Sequence, residues 1–368
     1  MYSRLFTLIA GVIFSITGYT QTIEERLDAL EEAIASEDSE MDYSLGGDKT
    51  SIGGYGELHY NGGSTAKDDQ IDIHRFVIFL GHDYSDTVKF FSEFEIEHSI
   101  AGDGQPGEVE MEQMYVDVDY GSFNAKYGVF LIPVGILNET HEPDTFYGVE
   151  RNSVEKNIIP STWWEGGIML SREIGEGLNI DAGIHSGMQI PDSGKVRSGR
   201  QKVGNAVNND WAGTIRLKKT TPGLEYAVTY HKQTDAAQSQ EDFNGLAATL
   251  MSGHVDYNKG PLSVQALYAE WDLRHPDFDA NGKDKQSGYY LTLGYKVKEN
   301  VGIFVRSEMY DTTGGDSTDS DVNTETFGVN YYIHPRVVLK ADWQKVSYAA
   351  SLDTDDQSVF NLGFGFSY

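Results

Sequence analysis

The chain has 368 residues, and its 57 Asp and Glu outnumber its 28 Lys and Arg, which gives a formal net charge of -29. This acidity excludes a general nucleic-acid binder, which needs a basic face, and the absence of cysteine excludes disulfides and thiolate chemistry. Aromatic residues make up 12% and mean hydropathy is -0.42, which argues against disorder and excludes a helical membrane protein. An all-β protein remains, either soluble or a membrane β-barrel whose lipid-facing residues are hidden by alternation.

The first twenty residues have the pattern of an export signal. Arg4 is their only charged side chain, and it precedes an apolar stretch from Leu5 to Ile16. A basic start, about a dozen apolar residues and a polar tail predict a signal peptide over residues 1–20, cleaved near Thr20. A short membrane anchor is the alternative, but the stretch is too brief to cross about 30 Å of hydrocarbon as a helix.

A short helical stripe follows over residues 21–36. Ile23, Leu27, Leu30 and Ile34 recur at the spacing of one helix face, with acidic residues elsewhere, which predicts a short coiled-coil helix. Two heptads are marginal alone in water, so the stripe either packs on its own domain or joins copies of the chain. Residues 37–50 are acidic and contain glycine, and we interpret them as a linker.

Period-two alternation begins at Ser51 and continues to the last residue, so we predict one β domain over residues 51–368. In the segment 223–232, Tyr226, Val228 and Tyr230 alternate with Thr229 and His231, the pattern of a half-buried strand. The predicted strands are 51–61, 71–84, 86–99, 109–121, 123–131, 163–173, 178–187, 210–219, 223–232, 246–257, 262–272, 286–296, 300–311, 324–334, 337–346 and 357–368.

The connections between these strands alternate between short and long. Short turns on one rim and long loops on the other are typical of outer-membrane barrels, whose periplasmic turns are short. The last segment agrees, because Phe360, Leu362, Phe364, Phe366 and Tyr368 alternate with small or polar residues. We therefore predict an all-β fold, a 16-stranded antiparallel transmembrane β-barrel preceded by the short coiled-coil helix.

Two segments resemble the phosphate-selective porin O/P family: IDIHRFVIFLGHDYSDTVKFFSEFEIEHS and VEMEQMYVDVDYGSFNAKYGVFLIPVGILNETHEPDTFYGVERNSVEKNIIPSTWWEGGIML. The resemblance is clearest over residues 51–175. It implies a trimeric outer-membrane channel of Gram-negative bacteria, narrowed by its third long loop. Here that loop is 132–162, which holds Pro133, Pro143 and Pro160, and we expect it to fold inward as a constriction. Its charged candidates are Glu142, Asp144, Glu150, Arg151, Glu155 and Lys156, besides Glu139.

The resemblance implies passage of anions such as phosphate, and strand parity predicts which charged side chains face the pore. The basic candidates are Lys89, Lys126, Arg216, Lys218, Lys296, Arg306 and Lys340. The acidic candidates are Glu93, Glu95, Glu97, Asp117, Asp119, Glu165, Asp181, Glu225, Asp256, Glu308 and Asp342. Acid outnumbers base in this set, which weakens the expectation of anion selectivity. Arg75 is left unassigned because both parities of its strand are partly apolar.

The acids of the third and fourth strands face Lys296 and Arg306 across a sixteen-strand ring. Opposed charges of this kind would create a transverse field that orients dipolar solutes. Pairing of each charge with a neighbour across strands is the alternative.

A passive diffusion channel for small hydrophilic solutes and ions is the leading functional hypothesis. An outer-membrane barrel enzyme and a surface adhesion or binding barrel are the alternatives. The sequence shows no nucleophile motif, and its ten histidines have no metal-ligand spacing, so we predict no enzyme activity, no cofactor and no metal. The expected partners are outer-membrane lipid and lipopolysaccharide, two further copies in a homotrimer, and the solutes, without nucleic acid.

Overall fold

The computed structural model describes residues 49–63, 68–240, 243–316 and 318–368. The predicted signal peptide (1–20), the predicted coiled-coil helix (21–36) and residues 37–48 of the predicted linker lie outside the described residues and stay predictions. Thr50, the last residue of the predicted linker, is already the first residue of a strand.

The described residues form one closed barrel of sixteen antiparallel strands, in which each strand pairs with its neighbours in sequence and the first also pairs with the last. The predicted fold class is confirmed. The strands are β1 Thr50–Gly62, β2 Gln70–Ser85, β3 Val88–Glu97, β4 Val109–Asp119, β5 Asn124–Leu131, β6 Trp164–Gly175, β7 Leu178–His185, β8 Ala212–Thr221, β9 Leu224–Gln233, β10 Ala247–Lys259, β11 Leu262–Arg274, β12 Lys285–Lys298, β13 Val301–Asp311, β14 Val322–His334, β15 Val337–Tyr348 and β16 Gln357–Ser367.

The described helices are short. They are α1 Val154–Asn157 and α2 Pro276–Ala280, with 3-10 turns at Val196–Gly199 and Ala350–Leu352. None of these described helices has the length and apolar character needed to cross a membrane.

Alternation along the strands separates an apolar outer face from a polar inner face. In β9, Val228 and Tyr230 are exposed on the outside, whereas Thr229 and His231 are buried in the interior. Exposed apolar side chains recur in the same way around the barrel. Each Å² of such surface costs about 25 cal/mol in water, so the outer face is suited to hydrocarbon rather than to solvent.

The two rims of the barrel differ in the length of their connections. Short turns of two to four residues lie on one rim, and the connections on the other rim are longer. Gly177 and Gly223 occupy two of the short turns with φ of 62° and 74°, a left-handed conformation that favours glycine. The third strand begins at Val88 rather than at the predicted Asp86, because Ser85 accepts hydrogen bonds from the turn at 3.3 and 3.1 Å.

The largest hydrophobic cluster of the described residues lies inside the barrel. Its members come from the inner wall and from the loops after β5, β7, β9 and β11, and include Ile132, Val134, Ile158, Ile159, Trp163, Met188, Ile190, Val196, Leu246, Trp271, Leu273, Phe278 and Tyr290. Burying such side chains contributes about 1.5–3 kcal/mol each. Apolar packing therefore holds these loops against the wall and fixes the positions of their polar residues.

Candidate functional site: the loop-lined barrel interior

The loop of residues 132–163, called here the inward loop, leaves β5 and crosses the interior. The Pro133 carbonyl accepts a hydrogen bond from Thr229 of β9 at 2.9 Å, and Asp144 accepts one from Ser367 of β16 at 2.8 Å. Between these points, Glu139 pairs with Arg216 of β8. The loop thus reaches from β9 to β16 inside the barrel, which confirms the prediction that it folds inward.

Charged residues of β13 and β15 hold the middle of the inward loop by its backbone. Lys340 Nζ donates to the Gly148 carbonyl at 2.8 Å, and Asp342 accepts from the Val149 amide at 2.6 Å. Arg306 donates to the carbonyls of two loop residues at 3.4 Å. These side chains, predicted as pore-facing charges, position the loop in addition to facing the interior.

Glu155, at the start of α1, organises the inward loop from within. It is fully buried. One carboxylate oxygen accepts from the amides of Ile136 and Leu137 at 2.6 and 2.9 Å, and the other accepts from Tyr290 of β12 at 2.8 Å. These contacts join two turns of the loop to the wall, so Glu155 stabilises the loop rather than presenting charge to a solute.

Glu150 ties the inward loop to β1. His59 lies between two carboxylates, with Nδ1 at 3.0 Å from Glu150 and Nε2 at 3.1 Å from Glu57. Asn61 also donates to Glu150 at 3.0 Å. Burial raises the pKa of Glu150, but the hydrogen bond and the charge of His59 lower it by more. The pKa of Glu150 is therefore below its ordinary value.

A second loop, residues 186–211, packs on the inward loop and is called here the mouth loop. Arg197 donates to the Ser161 carbonyl and, at 3.2 Å, to the Lys156 carbonyl. Arg200 donates to the Thr162 carbonyl. These arginines bind main-chain oxygens of the inward loop and so join the two loops.

Four arginines share one region of the interior, and we call them the arginine group: Arg75, Arg151, Arg197 and Arg200. Burial and the guanidinium groups of Arg200 and Arg151 lower the pKa of Arg197. Burial also lowers the pKa of Arg151, as does the charge of Arg75. Four guanidinium groups thus lie close together here, and carboxylates of the neighbouring strands interact with them.

Carboxylates of β3 and β4 face the arginine group, and we call them the acidic wall: Glu93, Glu95, Glu97, Glu110 and Glu112. Arg75 pairs with Glu95 at 3.5 Å and with Glu57 of β1 at 2.9 Å. Lys202 of the mouth loop lies 2.6 Å from Glu108 and also pairs with Glu110. Two of the five carboxylates of the acidic wall, Glu95 and Glu110, thus pair with an arginine or a lysine within the described part of the chain.

Strand parity missed part of the acidic wall because β4 contains a bulge. Glu93 pairs with Gln113 but Phe94 pairs with Met111, so Glu112 is the extra residue. Parity counted from Asp117 places odd-numbered residues of β4 on the inner face. Before the bulge this order is reversed, so Glu110 and Glu112 are buried inside. Such a bulge is hard to recognise in the sequence of β4, because the residues before it and after it both alternate regularly.

The remaining predicted pore-facing charges lie at different heights in the barrel. Asp117 is the register partner of Lys126, and Lys218 lies 3.4 Å from Glu225. Asp119 ends β4 and Lys296 is close to the end of β12, so both are near the short-turn rim. Of the loop candidates, Glu142 is half-buried and Lys156 is exposed.

Sequence reasoning also missed Arg197, Arg200 and His141 as parts of this site. The mouth loop has no alternation from which an inward direction could be predicted. His141 comes within 3.3 Å of Glu93 only because the inward loop carries it across the interior. The dense basic stretch KVRSGRQK (195–202) in an acidic chain is the one signal that could have indicated the mouth loop.

The barrel fold of this chain is similar to that of outer-membrane porins and channels of solved structure. OmpF of Salmonella typhi in complex with daunomycin matches 88% of this chain and 98% of its own, with a TM-score of 0.63 and 13% identity. An anion-selective porin from Comamonas acidovorans matches 87% and 99%, with a TM-score of 0.61 and 13% identity. The outer membrane channel DcaP of Acinetobacter baumannii matches 88% and 100%, with a TM-score of 0.58 and 11% identity. These likenesses show a shared fold.

Sequence comparison identifies a relative in Aquifex aeolicus strain VF5, described as an uncharacterized protein. It is 31% identical over 348 residues, which cover 83% of this chain and 77% of the relative. The chain belongs to the same family as this Aquifex protein. No protein-family model matches the chain.

Proposed function

We propose that this chain is an outer-membrane porin, a water-filled channel for passive diffusion of small hydrophilic solutes and ions. The observation that carries the proposal is the inward loop, which crosses a closed barrel and brings charged side chains to its interior. A barrel that served only as a membrane anchor would have no need of a loop bonded to β8, β13 and β16 from inside.

The proposed location is the outer membrane of a Gram-negative cell, reached through the predicted signal peptide. The apolar outer face supports contact with lipid, and the different rims support a fixed orientation with the long loops outside. Lipopolysaccharide is the proposed partner of the outer rim. The fold shared with outer-membrane porins agrees with this location.

We propose further that anions, phosphate among them, are solutes of the channel. Two observations support this: the resemblance to the phosphate-selective porins and the arginine group beside the inward loop. The acidic wall opposes it, although Arg75 pairs with Glu95 and Lys202 pairs with Glu110. Because local pairing reduces the net field of the wall, the arginine group is expected to act as the attractive element.

Recordings in planar bilayers test both proposals, that the chain forms a channel and that the channel passes anions. The full-length chain should give stepwise ionic conductance, and a KCl gradient should give a reversal potential on the anion side. The double variant R197Q/R200Q should shift that potential toward cations, whereas R197K/R200K, which keeps both charges, should shift it little.

Each outcome has a separate meaning. Correctly inserted barrels without conductance would overturn the channel itself. Conductance with clear cation preference in the wild-type chain would leave the channel and overturn anion passage. The variant R336Q, which removes a charge from the short turn between β14 and β15, is the matched control and should change neither quantity.

A further inference from the structure

Three side chains from three different elements meet where the inward loop touches the acidic wall. They are Glu93 of β3, Glu112 of β4 and His141 of the inward loop, whose ligating atoms lie within 4.8 Å of one another. All three are nearly inaccessible to solvent, with exposed fractions of 1%, 0% and 2%. The cluster is therefore a closed site rather than a group of surface acids.

The two distances from the imidazole in this cluster match those between ligands of one metal ion, and the two carboxylate oxygens lie within 4.8 Å of each other. His141 Nε2 lies 3.3 Å from Glu93 Oε1 and 3.5 Å from Glu112 Oε2. Tetrahedral Zn²⁺ with bonds of about 2.0–2.2 Å to nitrogen and oxygen has ligand atoms about 3.3–3.5 Å apart. A direct charge-assisted hydrogen bond would be shorter, at about 2.7–2.9 Å. One imidazole nitrogen carries at most one hydrogen, so it cannot donate to both carboxylates fully.

The short hydrogen bonds of the cluster go to its outer oxygens, whereas Glu93 Oε1 has only long contacts, accepting from the Tyr55 hydroxyl at 3.4 Å and lying 3.3 Å from His141 Nε2. Glu112 Oε1 accepts from Thr162 at 2.6 Å, and Glu93 Oε2 accepts from Gln113 at 2.7 Å. Among the described residues, Glu112 Oε2 has no hydrogen-bond partner, although it is buried and directed at His141. The outer oxygens are thus held in place while an inner oxygen lacks the partner that a buried acceptor requires.

The charges of the cluster also suit a divalent cation. Two carboxylates and a neutral imidazole carry two negative charges, which one divalent ion neutralises. Before a metal ion binds, Arg151, which interacts with His141, and Arg75, which interacts with Glu112, compensate part of this charge. A protonated His141 between the two carboxylates is the competing arrangement, and it would hold no metal.

We propose that Glu93, Glu112 and His141 form a binding site for a divalent transition-metal ion such as Zn²⁺. One nitrogen and two oxygen ligands leave a fourth position for water. The ion joins the inward loop to β3 and β4, the part of the wall reached by neither the Glu155 nor the Glu150 contacts. The proposed metal site does not depend on which solute the channel carries. A failure of the site would therefore leave the proposed function intact, and the reverse also holds.

Metal titration of the full-length chain in detergent tests the site. The chain is treated with EDTA, dialysed and titrated with Co²⁺, whose four-coordinate complexes absorb strongly in the visible range, and Zn²⁺ is then added as competitor. We expect one ion per chain and a higher unfolding temperature with Zn²⁺ than with EDTA. E112Q and H141A each remove a ligand and should weaken binding by more than the roughly 10–100-fold that loss of a ligand's hydrogen-bond partner costs.

The control is H334A, which removes a histidine near the short-turn rim and should leave binding unchanged. Wild-type chain that binds no Co²⁺ and retains no Zn²⁺ at millimolar concentration would overturn the site. So would binding that E112Q and H141A leave unchanged, since the ion would then lie elsewhere. The wild-type titration decides the matter even where a variant does not fold.

Discussion

At the scale of single residues, the carboxylates of the inward loop differ in role although they look alike in the sequence. Glu155 accepts main-chain hydrogen bonds inside the loop. Asp144 and Glu150 bind the loop to β16 and β1. Their roles depend on the turn of the backbone at each position, so composition alone could not assign them.

Glu150 should make the attachment of the loop to β1 sensitive to acid. Its pKa is lower in the folded chain than in the unfolded chain, so its stabilisation is present above the ordinary glutamate pKa of about 4.3 and is lost as the pH falls below it. Hydrogen bonds to a charged group contribute roughly 1.5–3 kcal/mol. We expect single-channel current fluctuations to increase between pH 5 and pH 3, to be measured in planar bilayers.

The variant E150Q should show these fluctuations already at pH 7 and no further acid step. E299Q, in the turn between β12 and β13, is the control and should keep the wild-type profile. If current fluctuations in E150Q still increased at low pH as in the wild-type chain, the increase would have to come from the titration of another group. The titratable and charged groups around Glu150 are His59, His74, Arg151, Lys156, Arg306 and Asp342.

Residue roles were predictable where the strand repeat is regular and unpredictable where it is interrupted. Arg216 and Arg306 are buried in the interior, as parity predicts. Glu112 was missed because of the bulge in β4. Arg75 could not be assigned because a second irregularity, between Glu57 and Leu58, shifts the pairing of β1 and β2.

At the scale of elements, the mouth loop and the inward loop form one packed unit. Apolar residues of both share a cluster, and Arg197 binds two carbonyls of the inward loop. Strand positions and loop lengths were predictable because a barrel imposes a repeat of two and a strict alternation of rims. The path of each loop was not, since it depends on contacts between segments far apart in sequence.

Removing Arg197 should separate the two loops. R197A deletes the guanidinium that joins them, a loss of roughly 1.5–3 kcal/mol for a charged hydrogen bond, and locally opened states become more populated. We expect trypsin to cleave the mouth loop after Lys195, Arg200 or Lys202 at least about tenfold faster, as measured by mass spectrometry of the folded chain in detergent.

R336A, on the opposite rim, is the control for this experiment. It should leave the cleavage rate of the mouth loop at the wild-type value. Equal rates in R197A and the wild-type chain would mean that apolar packing alone holds the mouth loop, and that Arg197 contributes charge without joining the loops.

At the scale of the whole molecule, we propose that three copies of the chain assemble through the predicted coiled-coil stripe. The variant L27A/L30A removes two apolar residues of the stripe, so we expect the trimer fraction on a native gel to fall at least about tenfold, because two heptads leave little reserve. E25A/E32A changes the polar side of the same segment and should leave assembly intact. An unchanged trimer fraction in L27A/L30A would refute assembly through the predicted coiled-coil stripe.

The pairing of β1 with β16 has a consequence for how the molecule is made. Asn61 and Asn361 are hydrogen-bonded across this seam although 300 residues separate them. Joining ends so distant carries a loop-closure entropy of about 5 kcal/mol, and such non-local pairing is slow. The barrel cannot close before its last strand has been synthesised and delivered, so an exported chain must travel unfolded. If the chain is exported, as its first twenty residues predict, the formal charge of -29 gives unfolded copies a mutual repulsion that opposes their association until closure removes their exposed edges.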